Sequence, residues 1–531
     1  MKILLKNIIL PYDKSAGEAL LSAKKKLRSA GITVCGEPEI YRSSIDARRK
    51  NNICRVWSAA AEIADNGKTV TEKKLASIDA SELKDTEPLA LSFGSEPLSA
   101  PPVVTGFGPC GMFCALLLAE NGYAPVVIER GGDVAERAES VRRFFETGKL
   151  DPASNVQFGA GGAGTFSDGK LVTRINDPLC RKVLETFRRF GAPEQIMTDA
   201  HPHIGTDRLL EIVKNIDAEI RRLGGQIFYG TQLCGIRADA SGRIGSVCVR
   251  RDGSEDELSC GALILAVGHS ARDTFEMLER SGVTLEKKAF SVGVRIEHLQ
   301  SNIDRMMYGD KAGDPLLPAA EYAFSLRRGE DAVYTFCMCP GGKVVAAASE
   351  EGGVVTNGMS DLARDGINAD AALAVTVSPD DPVAFQRGLE RAAFAAGGGN
   401  YAAPVETVGS FLGSGVNRIG RVSPTYTRGE YRLTRLSDIL PAKVSAMLGE
   451  GIRYFGKKSP GFDDPEAVLT GVETRTSSPY RIPRGETRIA AGFDNLYPCG
   501  EGAGYAGGIT SAAVDGLRTA AAVMERYRKS E

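Results

Sequence analysis

No run of this sequence approaches the ~20 apolar residues of a membrane span, there is no Cys-x-x-Cys pair or zinc-like ligand spacing, and histidines number only four and tryptophan one. Each scarcity excludes something. Without a long apolar run no membrane-spanning helix is expected, and the opening MKILLKNIILPYDK, interrupted by Lys6 and closed by Pro11, is too short for a signal-peptide core. Eleven cysteines, an odd number scattered over 531 residues, fit reduced thiols better than a disulfide framework. A cytoplasmic location and no metal site are therefore expected. The missing Cys-x-x-Cys argues against a dithiol relay, and a net charge of -2 supplies no global field for nucleic acid or membrane.

One local charge patch stands out. Residues 1–60 carry twelve basic side chains against five acidic ones. Base-stacking aromatics are few there, essentially Tyr12, Tyr41 and Trp57. A solvated basic face, or a dock for the acidic remainder, is favoured over RNA binding.

What the sequence has in abundance is glycine, 61 residues, and a length that suits two to four domains. Residues 2–10 read as a strand, and residues 15–29 as a helix with Ser15 as N-cap. Strand-like runs follow near 38–45 and 53–63, which makes a small α+β module of ferredoxin-like size. A polar Ser/Glu/Pro stretch from about 76 to 102 reads as a linker. From Pro102 the rhythm changes to strand, glycine turn, helix, strand. A helix is predicted from about Thr206 to Leu223, then a β-meander, then the buried strand of GALILAVGH. Residues 290 to about 464 read as a strand-rich insertion, after which the first domain resumes. The expected division is 1–95, 96–290, 291–464 and 465–531.

Gly106-x-Gly108-x-x-Gly111 follows the strand PVV and opens a helix, and Glu129 ends the next strand, 18 residues beyond Gly111. Such glycines give the tight turn, the close approach to a pyrophosphate and the helix–sheet contact, while the acid meets the adenosine ribose. This does not separate FAD from NAD. The far end does: in NLYPCGEGAGYAGGITSAAVDG a strand precedes Gly500 and Glu501, and a helix starts near Ile509, so two motifs some 400 residues apart fit one extended cofactor. A helix N-terminus there would face the flavin pyrimidine and stabilise its negative charge. No further motif has nicotinamide spacing, and AVGHSARD at 266–273 is too short a match. In NVQFGAGGAGTFSDGKL, Gly159, Gly161, Gly162 and Gly164 suit close backbone approach, with Thr165, Ser167 and Lys170 as hydrogen-bonding groups. The expected FAD contacts are Gly106, Gly108, Pro109, Cys110, Gly111, Glu129 and Arg130 in the first motif. Gly161, Gly162, Ala163, Gly164 and Thr165 supply the loop. Leu233, Gly268, Gly500, Glu501, Gly508 and Ile509 complete the set.

GFGPCG, FGAGGAGTFSDGKL, PHIGTD, FSVGVRIEH, FCMCPGG, GVETRTSSP and GEGAGYAGGITSAAVDG resemble a bacterial family of FAD-dependent dehydrogenases, from about residue 40 to the C-terminus. The resemblance implies an α/β architecture: a Rossmann-like FAD domain of glutathione-reductase type with an inserted strand-rich substrate domain. It implies no substrate. The chain departs from the family pattern at Ala160, where a Glu is expected, and at GINADA (366–371), where an Asn-Ser pair is expected.

Beside the flavin, Cys337 and Cys339 lie two apart in a strand pattern that puts both on one face, as nucleophile, redox pair or buried hydrophobes. His201 and His203 read as a loop anchor or, with His203 foremost, as a proton donor. Arg295 and Glu297 share a strand face and read as an ion pair. Arg475 is a candidate for an anionic substrate. The sequence thus predicts an FAD-dependent oxidoreductase acting on a small molecule, with a separate electron donor or acceptor. The alternative is a flavoprotein acting on RNA or a protein partner through its basic module.

Overall fold

The computed structural model describes residues 1–64, 70–83 and 89–529. At the N-terminus the order is strand Lys2–Pro11, helix Ala16–Ser29, strands Val34–Asp46 and Cys54–Ile63, short helix Glu72–Ala76 and strand Ala80–Glu82. Ser15 caps the first helix and forms a capping box with Glu18. This satisfies backbone donors that have no partner inside the helix. Ala19, Ala23 and Leu27 pack down onto the sheet. The first strand lies between the third and fourth and the second takes the far edge, the ferredoxin-like arrangement.

The stretch expected to be a linker is partly built into sheets. Ala80–Glu82 completes the N-terminal sheet, and Glu96–Pro97 pairs with Tyr527–Arg528. Short edge strands need only backbone groups, so their Ser/Glu/Pro composition hides them. Residues 84–88 of that stretch lie outside the described residues.

The second unit is a five-stranded parallel sheet in the order Leu496–Pro498, Ala262–Leu265, Pro102–Thr105, Val126–Ile128, Gln226–Phe228. Successive side chains of a strand face opposite ways, and both faces here are apolar. Val104, Val127 and Ile264 pack under the helices Pro109–Glu120, Thr206–Arg222 and Ile509–Arg526. Val103, Ile128, Leu263 and Leu265 pack under the antiparallel meander Thr231–Ala238, Ile244–Arg251, Ser254–Ser259. Continuous burial along Ala262–Leu265 follows from that double cover.

Between the fourth and fifth contributions to this sheet, the chain builds a seven-stranded sheet. Its order is Ser325–Arg328, Asp331–Cys339, Asn368–Val377, Phe290–Leu299, Val468–Glu473, Ala403–Thr407, Tyr431–Leu433. All neighbours are antiparallel except the last pair. Helix Ala442–Lys458 covers one face through Val444, Leu448, Ile452 and Phe455. The architecture is therefore a Rossmann-like α/β domain with a strand-rich insertion and a ferredoxin-like N-terminal module, as expected.

Buried charge joins the two larger units. Glu390, from the insertion's helix Pro382–Gly397, receives Arg272 at 2.7 Å and Arg475 at 3.0 Å, and all three side chains are buried. Arg475 also donates to Ser349. It is thus paired with protein groups while it also lines the large cavity between the two units. Against the opposing effect of burial, Arg475 and Arg272 hold the Glu390 carboxyl at about 2.

Replacing Glu390→Gln should leave the buried Arg475 without its carboxylate and Arg272 with only Glu350 at 3.2 Å, and cost about 3 kcal/mol, read from urea unfolding at neutral pH. The Glu390 pKa is depressed on folding. Its contribution is complete above the ordinary carboxylate range and is lost as pH falls toward about 2, so wild type and variant should converge in acid.

Candidate active site

A cavity of about 630 Å³ runs from the parallel sheet to the seven-stranded sheet. Its floor is made of two glycine loops packed on one another. Gly161 N–H donates to Phe107 O at 2.8 Å, and a Cβ on Gly162, whose φ is +64°, would stand 2.8 Å from Gly108 Cα. Helix Pro109–Glu120 starts at this floor with Gly108 as N-cap and Pro109 in its first turn. It lies so close to the turn that a Cβ on Gly111 would meet Gly106 O at 1.9 Å.

Two buried charges hold these loops. Glu129 accepts from Phe107 N at 2.8 Å and from Gly131 N and Gly159 N, each at 3.0 Å. An ionised carboxylate has about four acceptor sites, so one remains for a ligand hydroxyl. The acid therefore ties the loops together as well as facing the cavity, a second task that sequence spacing does not reveal. Arg137 donates to Asn155 O and Val156 O at 2.9 Å and to Ala160 O at 2.6 Å. Burial lowers its pKa only to about 10, which leaves it charged.

Most of the expected contacts face this one cavity. Gly106, Gly108, Pro109 and Cys110 line it with Glu129 and Arg130, and Gly162, Ala163 and Gly164 continue the floor. Leu233 and Gly268 lie along the side, while Glu501, Gly508 and Ile509 arrive from the far end of the chain. Gly111, Gly161, Thr165 and Gly500 stand behind this wall. Thr165 is buried, and a Cβ on Gly500 would meet Cys110. Helix Ile509–Arg526 starts at the cavity with Gly508 as N-cap, which leaves its first-turn N–H groups available to a ligand.

The loop 266–271, set aside as too short a motif, also lines the cavity. His269 Nδ1 stands 3.6 Å from Glu501 Oε1, and among the described residues its buried Nε2 has no hydrogen-bond partner; neither does Thr105 Oγ1 at the floor. The signal that could have found His269 is its place just after a fully buried parallel strand, where ligands gather in such sheets.

At the opposite end the cavity meets Cys337. Alternation would put Cys337 and Cys339 on one face, but the ladder shifts register between Phe336 and Cys339, and Cys337 takes a φ of +46°. As a result Cys337 faces the cavity and Cys339 is fully buried outside it. Hydrogen bonds hold this bulge: Arg295 Nη1 donates to Cys337 O at 2.8 Å, and Lys170 Nζ donates to Met338 O. The Cys339 thiol donates to Cys337 O at 3.4 Å, and with Cys339 beside it and the positive charges of Arg295 and Lys170 nearby, the Cys337 thiol is drawn well below its ordinary value despite burial. Such a residue, off the usual backbone region and electrostatically activated, marks functional sites more often than structural ones.

Arg295 does not pair with Glu297. It reaches Glu473 at 2.9 Å and Asp370 at 3.1 Å, while Glu297 accepts from Asn368, Thr425 and Thr470. Neighbouring strands bring those carboxylates closer than the residue two along the same strand. Glu473 faces the cavity, and burial pushes it up to about 7 with Arg295 opposing. Of the two histidines of PHIG and its preceding residue, His201 lines the cavity and bonds Glu321, which Lys170 approaches at 3.7 Å. His203 lies outside the cavity, bonded to Leu362 O at 3.1 Å, and burial lowers its pKa.

The basic N-terminal module docks against the segment that precedes His201. Ser43 N donates to Thr198 O at 2.7 Å and Ala200 N to Ser43 O at 2.9 Å, while Tyr12 hydrogen-bonds Asp314 at 2.6 Å. Part of the Tyr41–Lys50 segment is thus spent on the chain itself.

Residues 289–476 match a family model described as "FAD-dependent protein, C-terminal domain-like". A Clostridium beijerinckii protein described as uncharacterized is 45% identical over 541 residues, covering 99% of each chain. Among solved structures, a geranylgeranyl bacteriochlorophyll reductase-like protein of Thermoplasma acidophilum shares 12% identity over 80% of this chain and 78% of its own, with a TM-score of 0.35. Glycerol-3-phosphate dehydrogenase of Bacillus halodurans, solved with FAD, shares 13% over 80% of this chain and 64% of its own, with a TM-score of 0.36.

Alkylation of Cys337 by iodoacetamide, followed by peptide mass spectrometry, should titrate clearly below the ~8.5 of a free thiol. Lys170→Met should move that inflection up by about one unit. An inflection at the ordinary value in both proteins would remove the activated thiolate.

Proposed function

We propose, for a chain that belongs to the same family as the Clostridium beijerinckii protein, that the cavity holds one FAD non-covalently and that the protein is an FAD-dependent oxidoreductase acting on a small molecule. The observation that carries this reading is the convergence of two glycine–acid motifs, far apart in sequence, on one cavity. Both motif helices begin there. The site suits a dinucleotide: the glycine floor leaves room at Gly108, the helix starts offer N–H groups to phosphate, and Thr105 Oγ1 and His269 Nε2 await partners. Gly106, Gly108 and Gly162 would flank the diphosphate, Glu129 the adenosine ribose, Glu501 and His269 the ribityl side, and Gly508 and Ile509 the flavin ring. When bound, FAD supplies a two-electron hydride acceptor or donor.

The substrate occupies the remaining space between this floor and the seven-stranded sheet, at a domain interface of the kind where ligands gather. Cys337 takes the proton that a substrate sheds on oxidation, or returns it on reduction, because its thiolate is stabilised at the cavity wall. Lys170 fixes the bulge that presents this thiol and contributes to its charge balance. The docked N-terminal module holds the segment before His201, a residue of the cavity lining.

Purified protein should be yellow with about one FAD per chain. Gly108→Val should abolish binding by filling the pyrophosphate approach, while Cys337→Ala should keep FAD but lose turnover. Colourless protein that takes up no added FAD would end this reading.

The sequence offers no second nicotinamide motif, and electrons are accordingly exchanged with the substrate and a separate donor or acceptor. Stopped-flow mixing with NADH or NADPH should give only slow, unsaturable flavin reduction. Saturable reduction at about 10 s⁻¹ or faster, the pace of ordinary turnover, would instead require a nicotinamide site within the insertion.

A further inference from the structure

Away from the Cys337 end, two half-buried thiols meet on the meander. Cys234 Sγ donates to Cys248 Sγ at 3.0 Å, across the paired strands Thr231–Ala238 and Ile244–Arg251. The ladder places Val249 opposite Leu233 and Cys248 opposite Gly235, with a register shift between. Cys234 is therefore the extra residue of a bulge. Immediately before it, Leu233 packs its side chain into the cavity wall.

With Glu255 the two thiols form a cluster of metal-capable groups. The surroundings favour sulfur chemistry over a cation. Two thiolates on a tetrahedral zinc at ~2.3 Å stand about 3.8 Å apart, farther than these sulfurs. Glu255 is also already engaged by Arg250, whose guanidinium would lie against any bound cation. A disulfide needs the sulfurs to close to ~2.05 Å, a small motion at a bulge, where the ladder is already interrupted.

We propose that Cys234 and Cys248 form a reversible disulfide by exchange with a small-molecule disulfide, and that this modification is felt at the adenosine end of the cavity through Leu233. Cys248, which accepts from Cys234 and itself donates to Glu255 Oε2 at 3.7 Å, passes its proton to that carboxylate as it attacks. Its sulfur bonds one sulfur of the small disulfide, whose S–S bond breaks to release one thiolate. Cys234 gives its proton to that thiolate, and its sulfur then displaces the second, which takes up the proton that Cys248 had passed to Glu255. Two protein thiols are oxidised by two electrons, and one small disulfide is reduced to two thiols. Pulling Cys234 toward Cys248 draws the bulge, and Leu233 with it, away from the cavity. The link to cofactor binding rests on the FAD reading above, whereas the exchange chemistry does not.

Full-length protein with bound FAD, equilibrated with oxidised glutathione, quenched with iodoacetamide and digested with trypsin, should yield residues 223–237 and 244–250 as one cross-linked species that dithiothreitol separates. Cys234→Ser should stop at a glutathione adduct on Cys248, and Cys248→Ser should leave Cys234 largely unmodified. In titrations of the apoprotein, the oxidised form should bind FAD about fivefold more weakly than the reduced form. Both thiols remaining alkylatable, separate glutathione adducts without a cross-link, or protection of both by equimolar zinc would overturn the site. Equal FAD affinity in the two states would overturn the link to Leu233. A cross-link in protein that binds no FAD at all would leave the dithiol chemistry standing while the FAD reading failed.

Discussion

Two opposite charges buried under the glycine loops are the constraint on which the cavity depends. A glycine-rich passage has no side chains to fix it, and its buried N–H and C=O groups need partners. Glu129 gathers N–H groups from three separate turns, and Arg137 gathers carbonyls from residues 155–160. One charge serves donors and the other serves acceptors, and together they turn a mobile sequence into a shaped floor. The close contacts of Gly111 with Gly106 and of Gly162 with Gly108 are possible only because that floor is held in place.

At the other end a second buried charge group sets the chemistry. Arg295 is surrounded by Asp370, Glu473, Asn357 and the carbonyl of Cys337, all on neighbouring strands or their connections. Burial pushes both Asp370 and Glu473 upward while Arg295 opposes that shift, and the same guanidinium helps to draw the Cys337 thiol down. The bulge that turns this thiol into the cavity is itself tied by Arg295 and Lys170. Conformation and electrostatics thus depend on the same two cations.

The interface between the large units repeats the theme. Glu390, between Arg272 and Arg475, fixes how the insertion sits on the parallel sheet.

Local periodicity and spacing determined the main strands though not the short edge strands of 80–97, the Ser15-capped helix, the meander, and the glycine motifs that form the floor. These depend on backbone geometry that repeats every two or 3.6 residues, or on a glycine needed at one point of a turn. Only the tertiary structure decided the rest. Arg295 chooses Asp370 and Glu473 over Glu297, Arg475 pairs with Glu390 at the edge of the cavity, His201 rather than His203 reaches the cavity, and a bulge separates Cys337 from Cys339. These outcomes depend on which strand lies beside which and in what register, and residues close in space but over a hundred positions apart in the chain leave no mark in a local pattern.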